Sequence, residues 1–188
     1  MTEPVSSVLS PWSNFYMMTG SSAAALTGLM FVVITLVSGG ERQRRTHDGI
    51  ATFSTPTVVH FCAALFISAS LAVPWRSLLE PAAVLGIAGL LGIGYVMRVT
   101  ARTRSLSSYE PDVEDWSWYC VLPFAAYGLL LAGAIALPML AGSAVFALAA
   151  GAIALIFIGI HNAWDVVTFI AIGQGGEPPA SSAPPPAD

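Results

Sequence analysis

The sequence contains no lysine, and only 10% of its 188 residues are charged, against about 25% in ordinary soluble domains. Hydrophobic residues make up 55% of the chain, and the mean hydropathy is +0.73. This balance excludes a conventional soluble globular protein. It also excludes disorder over most of the length, because disorder requires low hydrophobicity and high charge. The composition therefore predicts an integral membrane protein.

Recognisable catalytic motifs are also missing. Without lysine the chain cannot complete a phosphate-binding Gly-x-x-x-x-Gly-Lys loop, and it has neither a His-Glu-x-x-His zinc helix nor a Gly-x-Ser-x-Gly nucleophile turn. The two cysteines, Cys62 and Cys120, show no metal-like spacing. The net charge of −4 is spread over the loops, so no nucleic-acid partner is indicated. Catalysis is not supported, and no cofactor is specified.

The charged residues divide the chain into uncharged runs at 4–40, 49–75, 81–97 and 116–164. A bilayer-spanning helix takes about 20 apolar residues. The longest run therefore holds two helices, separated where Pro138 and Gly142 interrupt it. The runs are continuously apolar rather than alternating, which argues against a β-barrel. We predict an all-α bundle of five transmembrane helices within residues 1–173, near 14–38, 54–74, 82–102, 118–139 and 143–172, followed by a disordered Pro/Ala-rich tail at 174–188.

The seven arginines predict the orientation of this bundle. Loops rich in positive charge stay in the cytoplasm. The second connection has only Arg76 and the fourth has no arginine, so the first and third connections are expected to be cytoplasmic. This places the N-terminus outside and the C-terminus in the cytoplasm. The six arginines of the first and third connections are Arg42, Arg44, Arg45, Arg98, Arg102 and Arg104.

Small residues recur at helical spacing on four of the predicted helices, and the third carries Gly86, Gly89, Gly92 and Gly94. Such faces allow close helix approach, which contributes to association in lipid. The same pattern fits packing within one subunit or between the subunits of a homo-oligomer. The predicted packing residues are Gly20, Ala24 and Gly28 on the first helix, Gly128, Ala132 and Ala136 on the fourth, and Ser143, Ala147 and Gly151 on the fifth.

Polar residues interrupt two of the apolar runs. His161 and Asp165 are four positions apart and therefore share a helix face, next to Asn162. If the second helix begins at Pro56, His60 lies about one turn from its cytoplasmic end. The fifth helix runs towards the cytoplasm, so His60, His161 and Asp165 are expected at a similar depth.

Ionisable side chains inside a membrane are costly and usually face a bundle interior or a cavity. Three functional interpretations of His60, His161 and Asp165 are open. They would form a proton or ion path, bind a metal such as zinc or iron, or, through the two histidines, ligate a haem. The structural alternative is that Asp165 pairs with Arg98 or Arg102 and that each histidine bonds a local polar group.

Four stretches resemble an uncharacterised family of small multi-pass bacterial membrane proteins. They are Phe15-Tyr16, Gly20 to Val33, Thr55 to Phe61 and His161 to Asp165. The resemblance involves three of the five helices and carries no assigned activity. It implies a bacterial inner (cytoplasmic) membrane.

The leading functional expectation is a bundle that self-associates in the lipid bilayer and has a channel or transport role, without catalysis of its own. The first alternative is an intramembrane metal-binding, haem-binding or proton-relay protein that uses His60, His161 and Asp165. The second alternative is an accessory subunit of a larger membrane complex, whose protein partner the sequence does not identify.

Overall fold

A computed structural model describes residues 5–38, 47–104 and 113–174 of the chain. Within these ranges it contains helices and their connections and no β-strand. Arg42, Arg44, Arg45 and the predicted tail from residue 175 onward lie outside the described residues.

The described chain forms seven α-helices, together with a 3-10 turn at Ser10–Trp12 and a π-helical turn at Ser117–Val121. Five segments are long and apolar enough to cross a membrane, so the prediction of an all-α bundle with five transmembrane helices is confirmed. The α-helices are α1 (Val5–Leu9), α2 (Ser13–Ser38), α3 (His47–Ala72), α4 (Leu79–Arg104), α5 (Val113–Trp116), α6 (Leu122–Ala136) and α7 (Ala141–Gln174).

The helix ends follow local sequence signals. Before α4, the Ser77 hydroxyl accepts a hydrogen bond from the amide of Leu79, while the Glu80 carboxylate accepts one from the amide of Ser77. This is the reciprocal bonding of a capping box, and it satisfies amides that have no partner within the helix. Between α6 and α7, the amides of Met139 and Leu140 both bond the carbonyl of Ala136. The chain therefore reverses at Pro138, where the sequence predicted a break.

The start of α3 differs from expectation. Pro56 is not the first residue of this helix; the helix begins at His47 and continues through the proline. Transmembrane helices tolerate proline because neighbouring helices and polar side chains satisfy the freed backbone groups. The apolar segment of α3 nevertheless begins at Thr55, so His60 still lies near one end of the span.

The helices pack as a continuous series in which α2 contacts α3, α3 contacts α7, α7 contacts α6, and α6 contacts α4. The central helix, α7, presents one fully buried face that includes Leu148, Ala152 and Leu155. Because successive spans cross in opposite directions, α3 begins and α7 ends at the end of the bundle where α4 finishes with Arg102 and Arg104. We call this end the arginine end.

The opposite end of the bundle is held by aromatic side chains. The Trp12 ring meets Phe146 edge to face with centroids 4.7 Å apart. The buried Tyr16 hydroxyl donates a hydrogen bond to the carbonyl of Val145, at 3.3 Å. These contacts join the beginning of α2 to the beginning of α7 across a long stretch of sequence.

The predicted small-residue faces divide between the inside and the outside of the bundle. Gly20 and Gly151 are buried, and a Cβ atom at Gly151 would lie 2.7 Å from Cγ of Leu130. Ala24 and Gly28 are exposed on α2, and a Cβ at Gly28 would meet nothing within 4 Å. Among the others, Ala132 and Ser143 are exposed, whereas Gly128, Ala136 and Ala147 are half-buried.

Candidate functional site

The most deeply buried titratable side chain of the described residues is His60, which is 1% exposed. Its Nδ1 atom shares a hydrogen bond with the hydroxyl of Tyr127 at 3.1 Å, between α3 and α6. The two rings lie close, with centroids 5.7 Å apart. Buried polar groups in an apolar interior are costly unless they are bonded, and each member of this pair satisfies the other.

Gly92 determines where the Tyr127 ring lies. A Cβ atom added to this glycine of α4 would come within 2.1 Å of Cδ1 of Tyr127, so the ring occupies the volume that any other side chain would need. The absence of a Cβ at Gly92 therefore allows α4 and α6 to approach closely. It also places the tyrosine hydroxyl where it meets His60.

A second buried polar group lies on α7 at a nearby level. The ring of Phe61 packs against Gly159, where a Cβ would lie 2.5 Å from Cε1. This contact sets the register between α3 and α7. About one turn closer to the arginine end, each helix carries a fully buried polar residue, Thr57 on α3 and Asn162 on α7.

Asn162 is 0% exposed, and neither its amide nitrogen nor its amide oxygen has a hydrogen-bond partner among the described residues. Such buried and unsatisfied side-chain amides are rare in proteins, and each needs an explanation in terms of function, strain or hydration. In this position the amide is a donor and acceptor available in the bundle interior.

His161 is less deeply buried than His60 and Asn162 and lies nearer the surface of the bundle. Its imidazole stacks on the indole of Trp118, with centroids 3.8 Å apart and planes 15° from parallel. Its Nε2 atom lies 3.3 Å from Oδ2 of Asp165 and 3.9 Å from Oε1 of Glu114. Both carboxylates are more exposed than the imidazole, so they lie on its solvent side at the arginine end.

Trp118 owes its position to the π-helical turn Ser117–Val121, in which the amide of Leu122 bonds the carbonyl of Ser117. A π-helical turn changes the direction of the side chains that follow it and is frequent at functional sites. Here the turn carries the indole that supports His161. The sequence contains no local signal for this turn.

The structure brings together two of the three residues predicted to form a site. His161 and Asp165 meet as their spacing of four predicts, whereas His60 bonds Tyr127 instead. In the part of the chain that the structure describes, no three His, Cys, Asp or Glu side chains are grouped so as to hold a metal ion. The predicted metal site of His60, His161 and Asp165 therefore finds no geometric support.

Sequence reasoning did not single out Tyr127, Glu114 or Trp118 as site residues. Tyr127 is the only tyrosine in the apolar sequence between Val121 and His161, and a single tyrosine in such a run could have indicated a functional residue. Glu114 is one of four acidic residues that lie close together between the third and fourth spans, and Trp118 lies at the start of the fourth. Their partner, His161, is more than forty residues away in sequence, so neither contact leaves a local pattern.

The arrangement has the chemistry of a proton path. An imidazole, a hydroxyl and an amide can each donate and accept hydrogen bonds. His60, Tyr127 and Asn162 provide such groups in the interior, and His161 with its two carboxylates provides them at the surface.

Comparison with known proteins adds no relative. A scan against protein-family models, a search of curated proteins and a search of solved structures each found no match to the chain.

Proposed function

We propose that this membrane protein transfers protons within the bilayer, with His60 and Tyr127 in the interior and His161 and Asp165 at the entrance. The observation that carries this proposal is the buried His60–Tyr127 pair. Ionisable residues inside membranes are costly, and chains of such residues mark proton relays in pumps and transporters. A bundle that needed only stability would be served equally well by apolar side chains at both positions.

The depths of these residues support a path that opens at the arginine end. At a rise of 1.5 Å per residue, Asp165 lies about 5 Å from Thr168, where the apolar segment of α7 ends. His161 lies about 11 Å from the same end, and His60 lies about 8 Å from Thr55, where the apolar segment of α3 begins. The groups therefore occupy the same half of the membrane, with the carboxylates nearest the solvent.

The orientation of the path is part of the proposal. If the arginine end faces the cytoplasm of a bacterium, as the positive-inside rule predicts, the path opens from the cytoplasmic side of the inner membrane. Arg102 and Arg104, in the last turn of α4, support this orientation.

Proton flux into liposomes tests the proposal. The purified protein is reconstituted with a pH-sensitive dye inside the vesicles, and a potassium diffusion potential drives proton entry. We expect wild-type vesicles to acidify faster than protein-free vesicles, and His60→Leu to remove the difference because leucine carries no proton. Tyr127→Phe should lower the flux while the ring keeps its contact with Gly92.

Tyr16→Phe is the matched control for this experiment. It removes another buried tyrosine hydroxyl, but one that bonds the carbonyl of Val145 at the opposite end of the bundle. Its flux should equal that of the wild type. Equal flux in wild-type and protein-free vesicles, or unchanged flux in His60→Leu, would contradict the relay.

A second proposal, self-association through the outer face of α2, is supported by the small residues found there. Ala24 and Gly28 are exposed, and the space around Gly28 is open. In a bilayer, an exposed face of small residues allows a second helix to approach closely. This face lies away from the proposed proton path, so the two proposals are independent.

Gly28→Leu should lower the oligomeric fraction, because its side chain would keep a second copy from close contact. Ala83→Leu, a small-to-large change at another exposed position, on α4, should leave that fraction unchanged. The measurement is single-molecule photobleaching of labelled protein in dilute liposomes. Photobleaching in single steps for the wild type would contradict self-association.

A further inference from the structure

The outer face of α4 combines an apolar surface with positive charge at one end. Ile87 and Leu91 are exposed, and Arg98 and Arg102 continue the same side of the helix towards the arginine end. Positions separated by four, seven and eleven residues share a helix face, so these four side chains form one stripe. We call this stripe the α4 outer face.

Gly94 makes a shallow depression in this stripe. It lies one turn before Arg98, and a Cβ atom added there would meet nothing within 4 Å. Among the described residues, the space beside Gly94 is therefore open. An extended hydrocarbon chain fits along such a depression.

Arg98 lies inside the apolar segment of α4, which ends at Arg102. Four residues correspond to about 6 Å along a helix, so the Arg98 backbone lies that far inside the segment. The side chain is exposed and forms no hydrogen bond or ion pair with the residues that the structure describes. A charged group at this depth is costly unless it extends to the interface or finds a counter-charge.

We propose that an anionic phospholipid binds the α4 outer face, with its phosphate on Arg98 and Arg102 and an acyl chain along Leu91 and Gly94. The planar guanidinium matches phosphate oxygens with two parallel hydrogen bonds. The phosphate of a lipid lies at the membrane surface, and the Arg98 side chain would reach that depth by extending along the helix. The two arginines favour a headgroup with net negative charge over a zwitterionic one.

Arg104 lies at the same end of the helix but has different surroundings. Its guanidinium carbon lies 5.3 Å from the ring centroid of Trp116. This cation–π contact draws Arg104 towards α5. Arg104 is therefore not part of the lipid site, which contains Arg98 and Arg102.

Native mass spectrometry tests the site. The full-length protein is released from nanodiscs containing equal amounts of phosphatidylglycerol and phosphatidylcholine, and the lipids that remain bound are counted. We expect the wild type to retain phosphatidylglycerol preferentially. Arg98→Gln should lower the retained fraction about fivefold, the effect of roughly one cationic contact at a membrane surface.

Arg104→Gln is the control, because it removes the same charge from the same helix end, and its retention should match that of the wild type. Circular dichroism checks that both variants remain folded, as expected for exposed positions. Equal retention of the two lipids by the wild type would overturn the proposal. So would unchanged retention by Arg98→Gln, or competition by millimolar inorganic phosphate, which would assign the site to the free anion.

Discussion

Gly92→Ala is expected to lower the free energy of unfolding by about 1–3 kcal/mol, the usual cost of overpacking a close-packed interior. The added methyl group would lie 2.1 Å from Cδ1 of Tyr127, so either the ring or the helix must move. Tyr127 is only 2% exposed, so its ring is enclosed by neighbouring residues. Displacing it would also lengthen the hydrogen bond to His60, so the same variant should transfer protons more slowly.

Gly94→Ala is the control for this prediction. The two glycines lie on the same helix, but a Cβ at Gly94 meets nothing within 4 Å. Alanine is preferred over glycine inside helices by about 0.5–1 kcal/mol, so this variant should be as stable as the wild type or slightly more stable. Thermal unfolding followed by circular dichroism in one detergent compares them. Identical unfolding temperatures for the two variants would show that α4 and α6 are not packed through Gly92.

Asn162→Leu is expected to make the protein more stable and to stop proton transfer. An amide buried without a hydrogen bond costs about 1–3 kcal/mol, and leucine has a similar volume and needs no partner. The amide of Asn162 has no partner among the described residues, so the substitution removes this cost without breaking a bond. Functional sites commonly retain such unfavourable groups, and stability gained there is accompanied by lost activity.

Thermal unfolding and the liposome flux assay, applied to the same preparation, test both halves of this prediction. Ser68→Ala serves as the control, because the Ser68 hydroxyl is also buried without a hydrogen-bond partner in the described structure but lies towards the opposite end of α3. It should leave the flux unchanged. A large loss of stability in Asn162→Leu would contradict the conclusion that the Asn162 amide is unsatisfied. Unchanged flux in the same variant would show that Asn162 is not part of the proton path.

Much of the fold follows from local properties of the chain. A continuous run of about 20 apolar residues can satisfy its backbone in lipid only as a helix, so the spacing of the charged residues predicts the number of spans. Turn residues such as Pro138 then divide the longest run correctly. The start of α3 was less predictable, because the propensity of proline to begin a helix competes with the tolerance of transmembrane helices for internal proline.

The candidate site likewise has one part that the sequence predicts and one part that it does not. His161 and Asp165 are four residues apart on one helix, and helical geometry alone brings them together. For His60 the sequence predicted only a similar depth, and the structure gives it a hydrogen bond to Tyr127 on α6. Nothing in the spacing of residues 60 and 127 indicates this contact, because it depends on which helices are neighbours and how they are rotated.

The small residues show why sequence spacing does not predict contacts between helices. Gly28, Gly92, Gly94 and Gly151 are alike in sequence, each within an apolar helix, yet only two of them are sites of close packing. Composition and charge spacing are enough to specify five spans, because the bilayer imposes the same requirement on every apolar run. The role of each glycine and the partner of each polar side chain depend instead on helix order and rotation, since these determine which surfaces meet and which face the lipid.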